Sequence, residues 1–248
     1  MRAIKETSRS ALLHRLRELE VDVRYQEFAE QDAEDFVYTP GLIPVLLSAP
    51  HGTVHTRQDK PKQEDEYTSG FAQLVAEITD AHVIFTRYRS QTDPNWYSDT
   101  PYKKTLREVV EREAIRFVLD IHGVAEHRKF GIALGTLRRK SCPNHREAII
   151  RHLEKFGFKQ DAVKVLHRLD LDRGFTAEGI EGQETITRYV WESLAVPAAQ
   201  FELHPALRIV ERRPEATEPE PYQGVPALIE VTINAFATLV YKLAASSP

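Results

Sequence analysis

The sequence alternates short, almost wholly apolar segments with longer segments of helical periodicity. Short runs that are wholly or mostly apolar are typical of strands that are buried on both faces. Such runs lie at 43–49, 83–85, 117–121, 130–134, 162–166 and 197–203, and helical patterns lie at 8–20, 67–79, 102–116, 144–156, 185–194 and 226–245. This alternation predicts an α/β fold, a three-layer α/β/α sandwich around a mostly parallel, mixed sheet.

The length of 248 residues suits one domain, and no internal repeat divides it. We therefore predict a single domain over 1–248. Its expected parts are an N-terminal helix with an acidic lead-in (1–40), a core that holds the candidate chemistry (41–210), a Pro- and Glu-rich loop (211–224) and a C-terminal helix (225–248).

Charge and composition exclude several classes of partner. The chain has 33 basic and 37 acidic residues and no basic block, which argues against nucleic acid. Its apolar strand runs are too short to span a bilayer and residues 1–6 form no apolar signal core, so we expect a cytoplasmic protein without a membrane partner. Cys142 is the single cysteine, so a bound metal must be held by imidazoles and carboxylates. The sequence indicates no oligomeric state.

Three predicted strands end in residues that could bind a metal or do acid–base chemistry. His51-Gly52 follows one strand, His122-Gly123 follows another, and Glu202 lies near the end of a third. Ligands of open α/β sheets bind at the carboxyl ends of the strands, which are about 5 Å apart, so these side chains can converge. One histidine at a strand end is more often structural, but two favour a metal site.

A third metal ligand should be a carboxylate. Glu64, Asp65 and Glu66 offer three candidates at the start of a predicted helix, where acidic residues also suit the helix dipole. Asp120 lies on the same face of its strand as His122 and could hold that imidazole in one tautomer. The alternative for Asp120 is a cap on a nearby helix or turn.

Polar residues at the same end of the sheet are candidates for substrate recognition. Arg89 and Arg208 could each clamp a substrate carboxylate with a bidentate guanidinium. The alternatives are a simple turn around Asp93-Pro94-Asn95 and a surface ion pair for Arg208.

Five short segments of the chain resemble the N-formylglutamate amidohydrolase family, both in their residue types and in their order along the chain. The wider relatives of this family include zinc carboxypeptidases and poly-γ-glutamate hydrolases. The segments that carry the resemblance are Ser48-Ala49-Pro50-His51-Gly52, Asp65-Glu66-Tyr67-Thr68, Arg89-Ser90-Gln91-Thr92-Asp93-Pro94-Asn95, Asp120-Ile121-His122-Gly123 and Gln200-Phe201-Glu202-Leu203. The resemblance implies a phosphorylase/hydrolase-like fold and one Zn²⁺ per chain. It also implies cleavage of a C–N bond in an N-acyl amino acid or small peptide by metal-activated water.

The resemblance also assigns roles to individual residues. His51, Asp65 and His122 match zinc ligands, with Glu66 as the alternative carboxylate, and Glu202 matches the catalytic glutamate.

Around the substrate, Arg89 and Asn95 match positions that contact it in the family. The chain departs from the family at Trp96 and at Leu203-His204-Pro205, where members commonly carry Asn-Arg, and these changes concern the substrate more than the hydrolysis. The competing hypothesis is a non-catalytic or metal-free binding protein on the same fold.

Overall fold

The structure is a computed structural model in which residues 8–246 are described. Residues 1–6, examined above for a signal core, and the last two residues of the predicted C-terminal segment lie outside this range. In chain order the elements are α1 (Arg9–Val21), β1 (Phe36–Thr39), β2 (Ile43–Ala49), β3 (His55–Arg57), β4 (Lys60–Lys62), α2 (Thr68–Thr79), β5 (Ala81–Thr86), α3 (Pro101–Arg112), β6 (Phe117–Gly123), β7 (Ile132–Gly135), α4 (Pro143–Lys155), β8 (Leu169–Leu171), α5 (Ile186–Leu194), β9 (Ala198–Leu203) and α6 (Pro226–Ala245).

The main sheet contains seven strands in the order β1-β5-β2-β6-β9-β7-β8. The four central strands, β5, β2, β6 and β9, are parallel to one another. β1 and β7 pair antiparallel with β5 and β9, and β8 runs parallel to β7. The prediction of an α/β fold with a mostly parallel, mixed sheet is therefore confirmed.

Helices cover both faces of this sheet because successive strand residues point to opposite sides. In β2, Val45 and Leu47 belong to the core shared with α1, α2 and α6, whereas Leu46 packs with α3 and α5. In β6, Leu119 and Val118 divide in the same way. Burial on both faces explains why these strands read as continuous apolar runs.

Helix α6 is long and apolar enough to cross a membrane by length and composition alone. Core helices pass the same test, and half of its most apolar window is buried within the structure. Ile229, Ile233 and Phe236 are fully buried in the main core, where α6 contacts α1, α2 and α4. These contacts are those of a core helix.

Two local predictions need correction. The apolar run at 162–166 is not a strand; Val163 is 91% exposed, a short 3₁₀ turn occupies Val165–His167, and the strand follows at β8. The polar stretch after β2 has no apolar run and is therefore predicted to be a loop, but it contains the β3–β4 hairpin, whose turn residues Gln58 and Asp59 both have positive φ. Apolar character predicted strands only where the residues are covered on both faces.

Candidate metal centre and cleft

The ends of β2 and β6 bring His51 and His122 together. These strands are parallel neighbours, with Ser48 opposite Asp120, so the residues that follow share one edge of the sheet. The two Nδ1 atoms lie 3.2 Å apart. Asp65 Oδ2 lies 3.7 Å from Nδ1 of His51 and 3.4 Å from Nδ1 of His122. Three ligand atoms of the types that zinc prefers therefore surround one point.

The spacing of these atoms fits a metal ion. Tetrahedral zinc with bonds of about 2.0–2.1 Å requires ligand atoms roughly 3.3 Å apart. Two imidazole Nδ1 atoms facing each other at 3.2 Å can share at most one hydrogen bond, whereas both can bind the same cation. The donor set of His51, His122 and Asp65 is thus suited to zinc.

The turn before α2 places Asp65 in the centre. Asp65 N donates to the His51 carbonyl at 2.7 Å, and the Thr68 hydroxyl donates to the Asp65 carbonyl at 2.7 Å. Gly52 allows the first turn of α2 to pack closely against the end of β2, because a Cβ there would lie 1.8 Å from Ser69 Oγ.

The other two carboxylates of this turn have different partners. Glu66 Oε1 accepts from Arg212 Nε at 2.9 Å, and both oxygens of Glu64 accept from Thr217. Of the three acidic candidates, the structure brings Asp65 to the histidines.

Opposite charges shift the pKa of each group at the centre. Burial alone would raise the pKa of Asp65, but the two histidines hold it well below its usual range. Burial alone would lower the pKa of His122, yet Asp120 and Asp65 raise it well above its usual value. Asp93 and Asp65 likewise outweigh burial and raise the pKa of His51. A metal must therefore displace protons from these imidazoles.

Asp93 orients His51, a role that the sequence did not reveal. Asp93 Oδ1 lies 2.8 Å from His51 Nε2, and Oδ2 accepts from Arg57 Nε at 2.6 Å. The His55 ring stacks on the His51 ring, with the ring centres 4.0 Å apart and the ring planes nearly parallel. Asp93 is fully buried, and its negative charge is compensated by ion pairs with Arg57 and His51.

Asp120 lies beside His122, as its position on β6 predicts. Its Oδ1 is 3.2 Å from His122 Nε2, although within residues 8–246 neither atom has a well-aligned hydrogen bond. The Thr187 hydroxyl donates to Oδ2 at 3.2 Å. Asp120 therefore faces the ring nitrogen of His122 that points away from the centre.

Glu202 lies on β9 directly opposite His122 on β6. Gln200 Nε2 donates to Glu202 Oε1 at 2.6 Å. Burial raises the pKa of Glu202 to about 7, against the opposing charge of His122. A carboxyl group with this pKa can both accept and donate a proton near neutral pH.

Two cavities border the centre, and His51, Arg57, Asp65 and Gly123 line both. The first lobe, of about 390 Å³, is lined in addition by His122, Asn95, Thr176, Gln183, Gln200 and Glu202. The second lobe, of about 530 Å³, is lined in addition by Lys62, Glu64, Glu66, Glu126, Arg208 and Arg212. The candidate metal centre therefore lies between two chambers.

Comparison with solved structures identifies the fold. At 12% identity, the chain matches N-formylglutamate amidohydrolase from Ralstonia eutropha JMP134 with a TM-score of 0.58, over 85% of this chain and 98% of that one. The chain has the fold of N-formylglutamate amidohydrolase. It also matches the Agrobacterium tumefaciens gene product Atu2144 (11% identity, TM-score 0.51, 88% of this chain and 94% of that one). A bacteriophage poly-γ-glutamate hydrolase matches at 12% identity and a TM-score of 0.50, over 86% of this chain and 92% of that one.

No protein-family model and no curated protein sequence matches the chain. The resemblance to N-formylglutamate amidohydrolase is therefore confirmed at the level of the fold, and the roles of individual residues rest on the geometry described above.

The family-based assignment of Arg89 does not coincide with the cleft. Arg89 lies in a separate cavity beside the segment 28–35, with its guanidinium 4.7 Å from the centre of the Phe28 ring. Asn95 does line the first lobe, and its Oδ1 accepts from Ile186 N at 2.7 Å. Arg208 lines the second lobe, where it donates to the backbone carbonyls of residues 66, 124 and 203.

Arg57 is the cation that sequence reasoning missed. It projects from β3, in a stretch whose polar character gave no sign of a strand. Its guanidinium lies 4.9 Å from the centre of the Trp96 ring and is held by Asp93 through Nε. Only a hairpin signal at Gln58-Asp59 could have indicated that this residue turns back towards His51.

Proposed function

We propose that this protein is a zinc-dependent amidohydrolase that cleaves the amide bond of an N-acyl amino acid or small peptide. The observation that carries the proposal is the convergence of His51, Asp65 and His122 within 3.7 Å at the edge of a cleft that Glu202 also lines. These three side chains would hold one Zn²⁺. A metal ion held there would supply Lewis-acid activation of water and of the scissile carbonyl.

Glu202 is the proposed general base and acid. It takes a proton from the attacking water and delivers it to the leaving nitrogen, so that one water is added across the C–N bond. Its pKa of about 7 suits both steps, and the Gln200 amide fixes one of its oxygens. The other carboxylate oxygen makes no hydrogen bond with residues 8–246 and is available to the water.

Arg57 and Asn95 are the proposed substrate contacts in the first lobe. The Nε edge of Arg57 is occupied by Asp93, and its terminal nitrogens make no hydrogen bond with residues 8–246. They are available to bind a substrate carboxylate in a bidentate way. In the second lobe, Arg208 contributes a positive charge, and its N–H groups donate to the Glu66 carbonyl of the metal-binding turn and to the Leu203 carbonyl at the end of β9.

Metal content tests the centre. Elemental analysis should find about one zinc per chain in the wild type, and little in His51→Ala and His122→Ala. The control is His14→Ala, a change on the exposed face of α1 that should leave the zinc content unchanged. Equal zinc in all four proteins would contradict the assigned ligands.

Turnover tests the chemistry separately. Glu202→Gln should retain zinc and lose about 10²- to 10⁴-fold in kcat on a panel of N-acyl amino acids and dipeptides. Unchanged kcat would contradict the role of Glu202. A wild-type protein that holds zinc and binds these compounds without hydrolysing any of them would be a binding protein instead.

A further inference from the structure

The two lobes differ in which catalytic group they contain. Glu202 and Gln200 line the first lobe, whereas the second lobe is bordered by the turn at 62–66 and by residues of the segment 205–220. A general acid must lie within hydrogen-bond reach of the nitrogen that it protonates. The amine product is therefore released on the side of the first lobe, and the acyl half of the substrate occupies the second.

The first lobe suits the amino-acid half. Among the described residues that line it, Arg57 is the one Arg or Lys, and the neutral side chains of Asn95, Gln183 and Gln200 form much of the remaining wall. The α-carboxylate of the leaving amino acid is an appropriate partner for this single cation. The chemistry of the second lobe then decides which acyl groups are accepted.

The second lobe contains a buried carboxylate that lacks one hydrogen-bond donor. Glu66 is 5% exposed, and its Oε1 accepts from Arg212. Its Oε2 is buried and has no hydrogen-bond partner within residues 8–246. A buried charged oxygen without a donor is unfavourable, so this atom is suited to a donor that arrives with a ligand.

Six carboxylates and four Arg or Lys side chains line the second lobe. Of these cations, Arg208 and Arg212 already have hydrogen-bond partners, and Lys62 is exposed. Arg212 donates to Glu66 and to the Glu220 carbonyl, and Arg208 donates to three backbone carbonyls. Glu126 and Glu218 add further negative charge to the wall. A cationic group of a ligand therefore meets available acceptors here.

We propose that the acyl half carries a protonated amine that donates to Glu66, which makes the substrate a short peptide with a free amino group. This inference rests on the proposed amidohydrolase function for its orientation. The space of about 530 Å³ accommodates an aminoacyl group and far exceeds the needs of a formyl group. Such a substrate places its amine in the second lobe, its amide at the centre and its carboxylate at Arg57.

A pair of ligands that differ only in the amine tests this inference. L-alanyl-L-alanine and N-propionyl-L-alanine would be titrated calorimetrically into the zinc-loaded Glu202→Gln protein, which is expected to consume them about 10²- to 10⁴-fold more slowly than the wild type. We expect the dipeptide to bind about tenfold more tightly or better, because a charge-assisted hydrogen bond forms with Glu66. Equal or tighter binding of the propionyl compound would overturn the inference.

Two variants at Glu66 and one control localise the effect. Glu66→Leu and Glu66→Gln, each in the Glu202→Gln background and each checked for zinc content, should lose the preference for the dipeptide. Glu218→Gln changes an exposed glutamate of the same lobe and should keep it. A preference that persists in both Glu66 variants would refute the assignment of the amine site.

Turnover by the wild type separates this inference from the proposed function. If the amine preference holds but the zinc-loaded wild type hydrolyses neither compound, the amidohydrolase proposal fails while the amine site at Glu66 stands. If both compounds are hydrolysed at equal kcat/KM, the amidohydrolase proposal stands and the amine site is wrong.

Discussion

Asp93 Oδ1 and His51 Nε2 lie 2.8 Å apart, on the side of the imidazole opposite the Nδ1 atom that faces Asp65. The same carboxylate accepts from Arg57 Nε and from Asn95 N, so its position is fixed from three directions. A carboxylate behind a metal-binding imidazole fixes the tautomer and makes the ring a better ligand. Asp93 therefore links the cation of the first lobe to the proposed zinc ligand.

Asp93→Asn should weaken zinc binding about 10- to 100-fold, because the amide keeps the volume of the side chain and loses the charge that supports His51. Competition with a chelator at fixed pH measures the effect. Asp99→Asn is the control, since Asp99 is exposed and pairs with Lys104 at the surface. An affinity within twofold of the wild type would show that Asp93 does not support the ligand.

Sequence reasoning found the residues whose position follows from a strand, and it missed those that depend on a loop path. His51, His122 and Glu202 follow buried strands whose apolar runs are easily read. Asp93 and Arg57 reach the centre through a loop and a hairpin, and no periodicity describes the course of either.

Periodicity did not choose among the neighbouring carboxylates of one turn, whereas the family resemblance favoured Asp65 over Glu66. Asp65 and Glu66 differ in side-chain length by one methylene, yet one faces the histidines and the other faces Arg212. Tyr67, which follows them, adopts φ of 64°, and this left-handed residue sets how the turn enters α2. The Glu20 carboxylate accepts hydrogen bonds from the backbone N–H groups of Tyr67 and Gly70. Because Glu20 is distant in sequence, the turn's own residues do not indicate this conformation.

In the metal-free protein, Glu202→Gln should increase stability at alkaline pH. Burial raises the folded-state pKa of Glu202 from 4.5 to about 7, so its stabilising contribution is full below about pH 4.5 and is lost as the pH rises through 7. Glutamine does not ionise, so the free energy of unfolding at pH 8 should be higher in the variant by an amount on the order of 3 kcal/mol. Urea unfolding between pH 5 and 8 measures the difference, with Glu218→Gln as an exposed control. A difference that does not change with pH would contradict this assignment.

Zinc affinity should fall as the pH decreases, beginning above the usual pKa of histidine. Although burial lowers the pKa of His122, Asp120 and Asp65 raise it well above 6.5, so a proton competes with the metal even near neutral pH. Asp120→Asn removes the largest raising influence and should move this pH dependence to lower pH. Chelator competition across pH 6–9 in both proteins measures the shift. An unchanged midpoint would show that Asp120 does not control the protonation of His122.

Glu20 at the end of α1 holds the turn that carries Asp65. Its side chain is fully buried and accepts from Tyr25 Oη at 2.5 Å, Tyr67 N at 2.8 Å and Gly70 N at 2.9 Å. A Cβ on Gly70 would lie 2.6 Å from Glu20 Oε2, so the first turn of α2 is built closely around this carboxylate.

Glu20→Ala should therefore destabilise the protein by about 3 kcal/mol or more, because three buried donors lose their acceptor and each costs about 1–3 kcal/mol. Since Tyr67 follows Asp65 by two residues, zinc affinity should fall in the same variant. Glu18→Ala on the exposed face of α1 is the matched control and should change stability by less than about 0.5 kcal/mol. If urea unfolding and chelator competition gave the same values for both variants, Glu20 would not support the metal-binding turn.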